Sequence, residues 1–386
     1  MDGIAAVLAC TPRLIGVKPA LEVVPGMRPE LVLHAGPPTS WDDLSPLLRT
    51  ALTGAAEFEG LAVDDVVLGA AQDFSSMAGG AGAITASTPV VVVEDAASGR
   101  RAFHFLMEGF GRTLILGMTG DDVFERLRWL RDEVAPALDA ALAELGGIDC
   151  DEIMVEALRR GDELHNRNAA ATSMLAEQLA PGLARTGVAA DVQDRLFAFL
   201  RGNPQFFVAV SLAASKLMLD AGHGVEGSTL VTAMGSNGRD CGIKVSGLGD
   251  EWFTAAAETP EGADAHAAGP ACGDSLLVEC AGLGASVLPA APALWPALGV
   301  DEARARELYE STVGIAFAEH PRYRVPVLGD HGAPVGIDVD RVVETGSRPV
   351  IDIVMIHREP GRGMIGLGLT SPPAVCFDIA LRKLSR

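Results

Sequence analysis

Pro89-Val90-Val91-Val92-Val93-Glu94 is the clearest strand in the chain, being β-branched, short and bounded by a proline and by Ala97-Ser98-Gly99. Upstream, the small-residue stretch Ser75 to Ala83 leads into it. Earlier still, Leu31-Val32-Leu33-His34 reads as a short strand that exits into Ala35-Gly36-Pro37-Pro38, and residues 45–60 fit a helix. Downstream, Val123, Leu127, Leu130 and Val134 recur at helical spacing over 121–146. Asp121 and Asp122 favour the start of that helix, Gly146-Gly147 ends it, and Pro136 is expected to kink or split it. A helical block follows from about 150 to 221, with breaks at Pro181-Gly182 and Asn203-Pro204.

Past 225 glycine becomes frequent and strand-like runs return at 228–232, 242–245, 275–279 and 349–355. A helix is expected over 301–319 and another over 373–384. The predicted fold class is α+β: two mixed α/β lobes, 1–148 and 225–386, with a small helical domain, 149–224, between them.

The chain has 386 residues, of which 48% are hydrophobic and only 5% aromatic, so the core is built from Ala, Val, Leu and Ile. A net charge of -21 disfavours a nucleic-acid partner, which needs clustered Lys and Arg. The longest apolar stretch, Ala285 to Val300, is broken by Pro289, Pro292 and Pro296, so no membrane span is expected. Six scattered cysteines offer neither a CxxC pair nor a zinc spacing, and no metal or cofactor is expected. Reduced thiols and the lack of a basic, apolar leader point to the cytoplasm.

The most informative segment is Gly161-Asp162-Glu163-Leu164-His165-Asn166-Arg167-Asn168 and its continuation to Ser173. On a helix, Asp162, His165, Asn166, Ala169, Thr172 and Ser173 would share one stripe. Such a stripe either faces a ligand or is a hydrogen-bonded helix start packed on another domain. Asn237-Gly238 is a hairpin dipeptide after Thr232, and the following strand leads to Ser246. These turns could present N–H groups to an anion, with Lys216, Arg239 and Lys244 as cations. Asp274-Ser275 reads as a turn at a strand entrance. Ser275 lacks the elbow of a nucleophile, and nothing argues for an activated Cys272. The glycines at 361, 363, 366 and 368 follow His357, but Leu369 to Pro373 cannot open a helix, so a dinucleotide site is rejected. A backbone anion cradle beside Arg358 or Arg362 stays open.

Taken together these segments resemble the YlbE/YahG-like family. The matching stretches are LHAGPP at 33–38, EGLA at 59–62, MEGFGR at 107–112, GDELHNRNAAATSML at 161–175 and FFVAVSLAASKLMLDA at 206–221. They continue with the run from 227 to 255, GDSLLVECAGLGA at 273–285, PVGIDVDRVVETG at 334–346 and the glycine loop to Pro373. Where relatives carry a Pro-Cys-His-type element, this chain has Gln72 to Ser76.

The resemblance implies two α+β lobes around a helical domain, and a link to purine-derived ureide metabolism. AllG-type members are implicated, with an FdrA-like subunit and a further subunit, in phosphorolysis of oxalurate to oxamate and carbamoyl phosphate. The implied partners are a small anionic substrate, phosphate, and an FdrA-like subunit or further copies of the chain. The alternatives are a non-catalytic scaffold subunit or an amide or ureide hydrolase.

Carbamoyl transfer needs cations, an oxyanion donor and an acid for the leaving nitrogen. The expected assignment puts His165 at the proton transfer, oriented by Asp162, with Asn166 and Asn237 as polar anchors. Arg167, Arg239 and Lys216 would clamp the anion. Further candidate contacts are His34 and Gly36 at the first strand exit, Asn168 and Thr172, then Thr232, Gly238 and Ser246. Asp274, Ser275, His357, Gly361 and Gly363 complete the set.

Overall fold

The computed structural model describes residues 3–385. Val90 to Val93 are all buried within the strand Pro89–Asp95, which explains their unbroken apolar run. That strand lies between Pro12–Pro19 and Arg101–Phe105, antiparallel to both, in a five-stranded sheet. The short strands Ser76–Met77 and Ile148–Asp149 form its edges. A three-stranded sheet is centred on Leu31–His34, parallel to Val67–Ala70 and antiparallel to Ala83–Ile84. The helix Pro46–Glu59 follows, with the Ser45 hydroxyl accepting the Leu48 N–H at 3.3 Å and Gly60 closing it in the left-handed conformation.

The helix expected over 121–146 is one rod rather than two. It runs Asp121–Trp129, widens into a π turn over Leu130–Val134, and continues over Ala135–Leu145. Pro136 has no N–H to give the carbonyl one turn back, and the wider turn just before it absorbs the defect. Pro181 likewise lies inside the last turn of the helix Ala169–Leu183.

The second half carries a four-stranded antiparallel sheet, ordered Phe253–Ala256, Asp240–Val245, Val231–Asn237 and Cys272–Gly273. Two hairpins follow, Ala316–Val325 with His331–Ile337 and Ile351–Ile356 with Met364–Thr370. Among the described residues no helix is long and apolar enough to cross a membrane.

The helix Val208–Ala221 is buried at every position from Val208 to Leu219. It packs on strands of the first sheet, on the helix Gly3–Ala9 and on the segment Ser275–Ala281. Around it one apolar cluster draws side chains from Val7 to Ala380. The mixed α/β character agrees with expectation, but the packing displays no clear division into two lobes and a separate helical domain.

Three local expectations are corrected. Residues 161–168 form a loop, and the helix begins only at Ala169. Leu164 there stands at a φ of 71°, a left-handed conformation that no helix tolerates. Ser275–Ala281 is a 3-10 helix, not a strand; Leu276 to Ala281 are all buried, and for such a short apolar run periodicity cannot separate the two. Gly366 and Gly368 stand inside the strand Met364–Thr370 rather than in a loop; both face Met355 of the partner strand, whose Sδ would stand 2.9 Å from a Cβ at position 368.

Candidate active site

The loop 161–168 is tied into shape by Glu163. Its carboxyl group accepts the backbone N–H groups of His165 at 2.9 Å, of Arg167 at 3.0 Å and of Asn166. Ser211 of the central helix donates to the Leu164 carbonyl at 2.8 Å, and the Gly284 N–H reaches the Glu163 carbonyl at 2.8 Å. These bonds offset the cost of the left-handed Leu164, roughly 1–3 kcal/mol. They also dock the loop onto the segments that carry the acidic partners of His165.

Those partners come from distant sequence. His165 Nδ1 lies 3.2 Å from Glu279 Oε1 and 3.2 Å from Asp352 Oδ1. Glu279 stands on the 3-10 segment and Asp352 on the strand Ile351–Ile356. Both carboxyls are fully buried, and Glu279 Oε2 and Asp352 Oδ2 have no hydrogen-bond partner. Gly284 leaves room for the pair: a Cβ there would stand 2.4 Å from Glu279 Oε1 and 3.1 Å from Asp352 Oδ1.

Burial disfavours a charged imidazole, but the Glu279 and Asp352 carboxyls outweigh it and raise His165 well above its ordinary pKa. Burial pushes Glu279 up to about 8, with His165 opposing. Burial would raise Asp352 as well, yet His165 beside it holds it below the usual carboxylate range. The three groups act as one unit: the two carboxyls favour the charged imidazole, and the imidazole favours an ionised Asp352. Their donor atoms are also the one group among the described residues able to close on a cation, lying within 4.8 Å of one another. The 3.2 Å contacts are hydrogen-bond contacts, and a shared Nδ1–H accounts for them.

His165 and Asn166 line a cavity of about 230 Å³. Asn166 donates to the Asp352 carbonyl at 2.8 Å, so both residues are fixed to the same strand. Ser275, Gln205, Asn203 and Thr113 supply other polar wall groups, and the Gly79-Gly80 turn brings bare backbone to it. Ile353, Ile356, Leu212 and Val208 make an apolar remainder, while the exposed Phe110 and Met364 also line it. The arrangement presents a buried cationic acid in a mostly apolar chamber.

The other sequence candidates divide. Asp162 does not orient His165; it accepts the Ala171 N–H at 2.9 Å at the start of the helix and pairs with Arg167 at 3.3 Å. Asn168 donates to the His165 carbonyl at 2.9 Å and to Gln205 at 2.8 Å, and Thr172 binds the Pro204 carbonyl, so both brace the loop. Lys216 and Thr232 line a second cavity of about 270 Å³ that shares no lining residue with the first.

Asn237 spends its side chain on its own turn, accepting from Arg239 and Asp240 and donating to the Pro37 carbonyl. Gly238 takes the left-handed φ of that turn. Arg239 is exposed and paired with Asp43. Ser246 donates to the Gly222 carbonyl at 2.6 Å.

Asp274 is a clamp: it accepts from Gly36 N–H at 2.8 Å, Gln72 at 2.7 Å and Ala78 N–H at 2.9 Å. Gly36 fits because a Cβ there would stand 2.4 Å from the Asn237 nitrogen. His34 is buried and bonded to the Ala35 carbonyl, and burial lowers its pKa. His357 accepts the Glu359 N–H at 3.0 Å, and Gly361 and Gly363 form the turn beyond it. None of these lines the His165 cavity.

Glu279, Asp352 and Glu163 were not among the expected site residues. The signal lay in two apolar runs, Leu276-Leu277-Val278-Glu279-Cys280 and Ile351-Asp352-Ile353-Val354, each interrupted by one acid that a core would not carry unpaired.

Fold and site together define a mixed α/β protein with an acid-bound imidazole at a mostly apolar cavity. Residues 66–275 match the family described as oxamate carbamoyltransferase subunit AllG. The chain is 36% identical to the oxamate carbamoyltransferase subunit AllG of Escherichia coli, over 97% of this chain and 94% of that protein. It is 35% identical to the uncharacterized protein YahG of the same species, over 96% of this chain and 82% of that one. A crystal structure of a conserved protein of unknown function from Enterococcus faecalis matches it with a TM-score of 0.96 at 35% identity, covering 100% of this chain and 96% of that chain. The chain belongs to the AllG/YahG family.

Proposed function

We propose that the protein is a carbamoyltransferase subunit that moves a carbamoyl group between a ureido acid such as oxalurate and phosphate, at the cavity lined by His165. The observation that carries this reading is the His165 ring held by the Glu279 and Asp352 carboxyls at the cavity wall, in a chain of the AllG/YahG family. With Nδ1 committed to the carboxyls, Nε2 is the nitrogen free to serve a substrate.

In the forward direction a phosphate oxygen bonds to the ureido carbonyl carbon. The bond from that carbon to the substituted nitrogen breaks, and its electron pair goes to the nitrogen. Nε2–H protonates that nitrogen, giving oxamate and carbamoyl phosphate, and the phosphate hydroxyl proton returns to His165. Asp352 and Glu279 keep the ring oriented and favour its return to the charged form when the phosphate proton arrives. Asn166 and Ser275 supply hydrogen bonds to the bound acid, and the apolar wall limits competing water.

The test combines the purified chain with its FdrA-like partner subunit and follows carbamoyl phosphate formed from oxalurate with and without phosphate. Product formation should require phosphate, and His165→Asn should lower turnover by at least ~100-fold. Unchanged turnover in His165→Asn would make this chain a scaffold with catalysis in its partner. Phosphate-independent release of the carbamoyl group would make it a hydrolase.

A further inference from the structure

We propose that the second cavity, built around Lys216 and Lys244, is a binding site for a small oxyanion, a carboxylate or a phosphate, distinct from the His165 cavity. The chain contains only four lysines, Lys18, Lys216, Lys244 and Lys383, within a net charge of -21. Two of the four line this one cavity, and they are 3% and 4% exposed. Lys216 stands in a buried helix, among Ala213, Ala214, Leu217 and Met218. A lysine at such a position is unfavourable unless its ammonium is met by acceptors.

Each ammonium has three N–H donors. Lys216 Nζ has one protein acceptor, Asp220 Oδ1 at 2.6 Å. Lys244 Nζ lies 2.6 Å from Asp73 Oδ1 and 3.7 Å from Asp250 Oδ1. Donors therefore remain on both lysines, beside about 270 Å³ of polar space in which Ala233 is the only wall residue without a polar side chain.

The geometry is fixed before any ligand arrives. The Trp252 ring lies 5.3 Å from Lys244 Nζ while its Nε1 binds Asp73 at 2.9 Å. His223 is held at both nitrogens, by Thr232 at 2.9 Å and Asp250 at 3.2 Å. Arg100, exposed at the wall, adds a further cation. An oxyanion between the lysines would take the N–H groups that the aspartates leave over.

The test is calorimetric titration of the full-length protein with inorganic phosphate and, in a separate arm, with oxamate, at ionic strength held constant with chloride. At least one anion should bind saturably, and the arm that does so identifies phosphate or carboxylate as the ligand. Lys244→Met and Lys216→Met should each raise its Kd roughly tenfold or more, the loss of a charged hydrogen bond. Arg100→Ala, at an exposed position, should raise it severalfold and stands in should a lysine variant fail to fold by circular dichroism. In His165→Asn, which removes the share of binding owed to the first cavity, the component that depends on the two lysines should keep its Kd within about twofold. Absence of saturable binding in both arms, wild-type affinity in the folded cation variants, or loss of that component in His165→Asn would each overturn the proposal. Since the readout is binding to this chain alone, its failure is distinguishable from failure of the reaction assigned to His165.

Discussion

His165 Nδ1 meets Asp352 Oδ1 at 3.2 Å across 187 positions of sequence, and Glu279 closes the same contact from the other side. The imidazolium depends on these carboxyls, because burial alone would neutralise it. Asp352→Asn should therefore lower the His165 pKa and cut turnover by about 10- to 100-fold. The check is the pH titration of the His165 ring protons by NMR beside a turnover–pH profile. An unshifted ring pKa would show that Asp352 does not hold the charge.

Stability should fall on the alkaline side. Glu279 is raised from 4.5 to about 8, so its contribution is complete below its unfolded value and is lost as pH rises through about 8. His165, raised above 6.5, acts in the same sense. Asp352 is lowered from 3.8, so its contribution is present above that value and lost as pH falls. The melting temperature should drop from about pH 4.5 to about pH 8, with His165 extending the fall upward from 6.5, and Glu279→Gln, which cannot ionise, should flatten that drop. Thermal melts at constant ionic strength read it, and parallel curves for the two proteins would contradict it.

Gly284→Ala should damage the site more than the fold. The residue has a φ of 59°, and the new methyl would press on Glu279 Oε1. Strain of about 1–2 kcal/mol is expected, with turnover lost beyond that because Glu279 must leave His165. Denaturant unfolding set beside turnover separates the two, and equal losses would argue against a positioning role.

Asp274→Ala should destabilise by roughly 3–5 kcal/mol, because it strips the acceptor from three buried donors at Gly36, Gln72 and Ala78. Asp274 lines neither cavity, but it holds Gln72 of the second one, so in the folded fraction the lysine-dependent anion affinity should change while the His165 cavity keeps its lining. Urea unfolding with phosphate or oxamate titration of the soluble fraction measures both.

Much of the architecture was legible in local chemistry. The strand at Val90–Val93, the Ser45-capped helix closed by Gly60, the turn at Asn237-Gly238 and the terminal helix Ala374–Leu384 all lie where propensity and turn residues put them. His165 and Asn166 were legible as polar groups in an odd setting, though the helical spacing that singled them out is absent. Glu163 gathers the N–H groups of His165, Asn166 and Arg167 as a loop, and a turn stabilised by a side chain three residues away leaves no periodic trace.

The sequence by itself determined most of the element types, the net negative charge and the few acids and lysines set within apolar runs, because these follow from side-chain size, charge and neighbours along the chain. Tertiary structure alone decided their partners. Asp352 rather than nearby Asp162 faces His165, and Lys216 meets Lys244 in a cavity apart from that histidine. Such pairings are fixed by how the buried helix Val208–Ala221 brings distant segments together. An electrostatic contact depends on distance through space, which order along a chain does not encode.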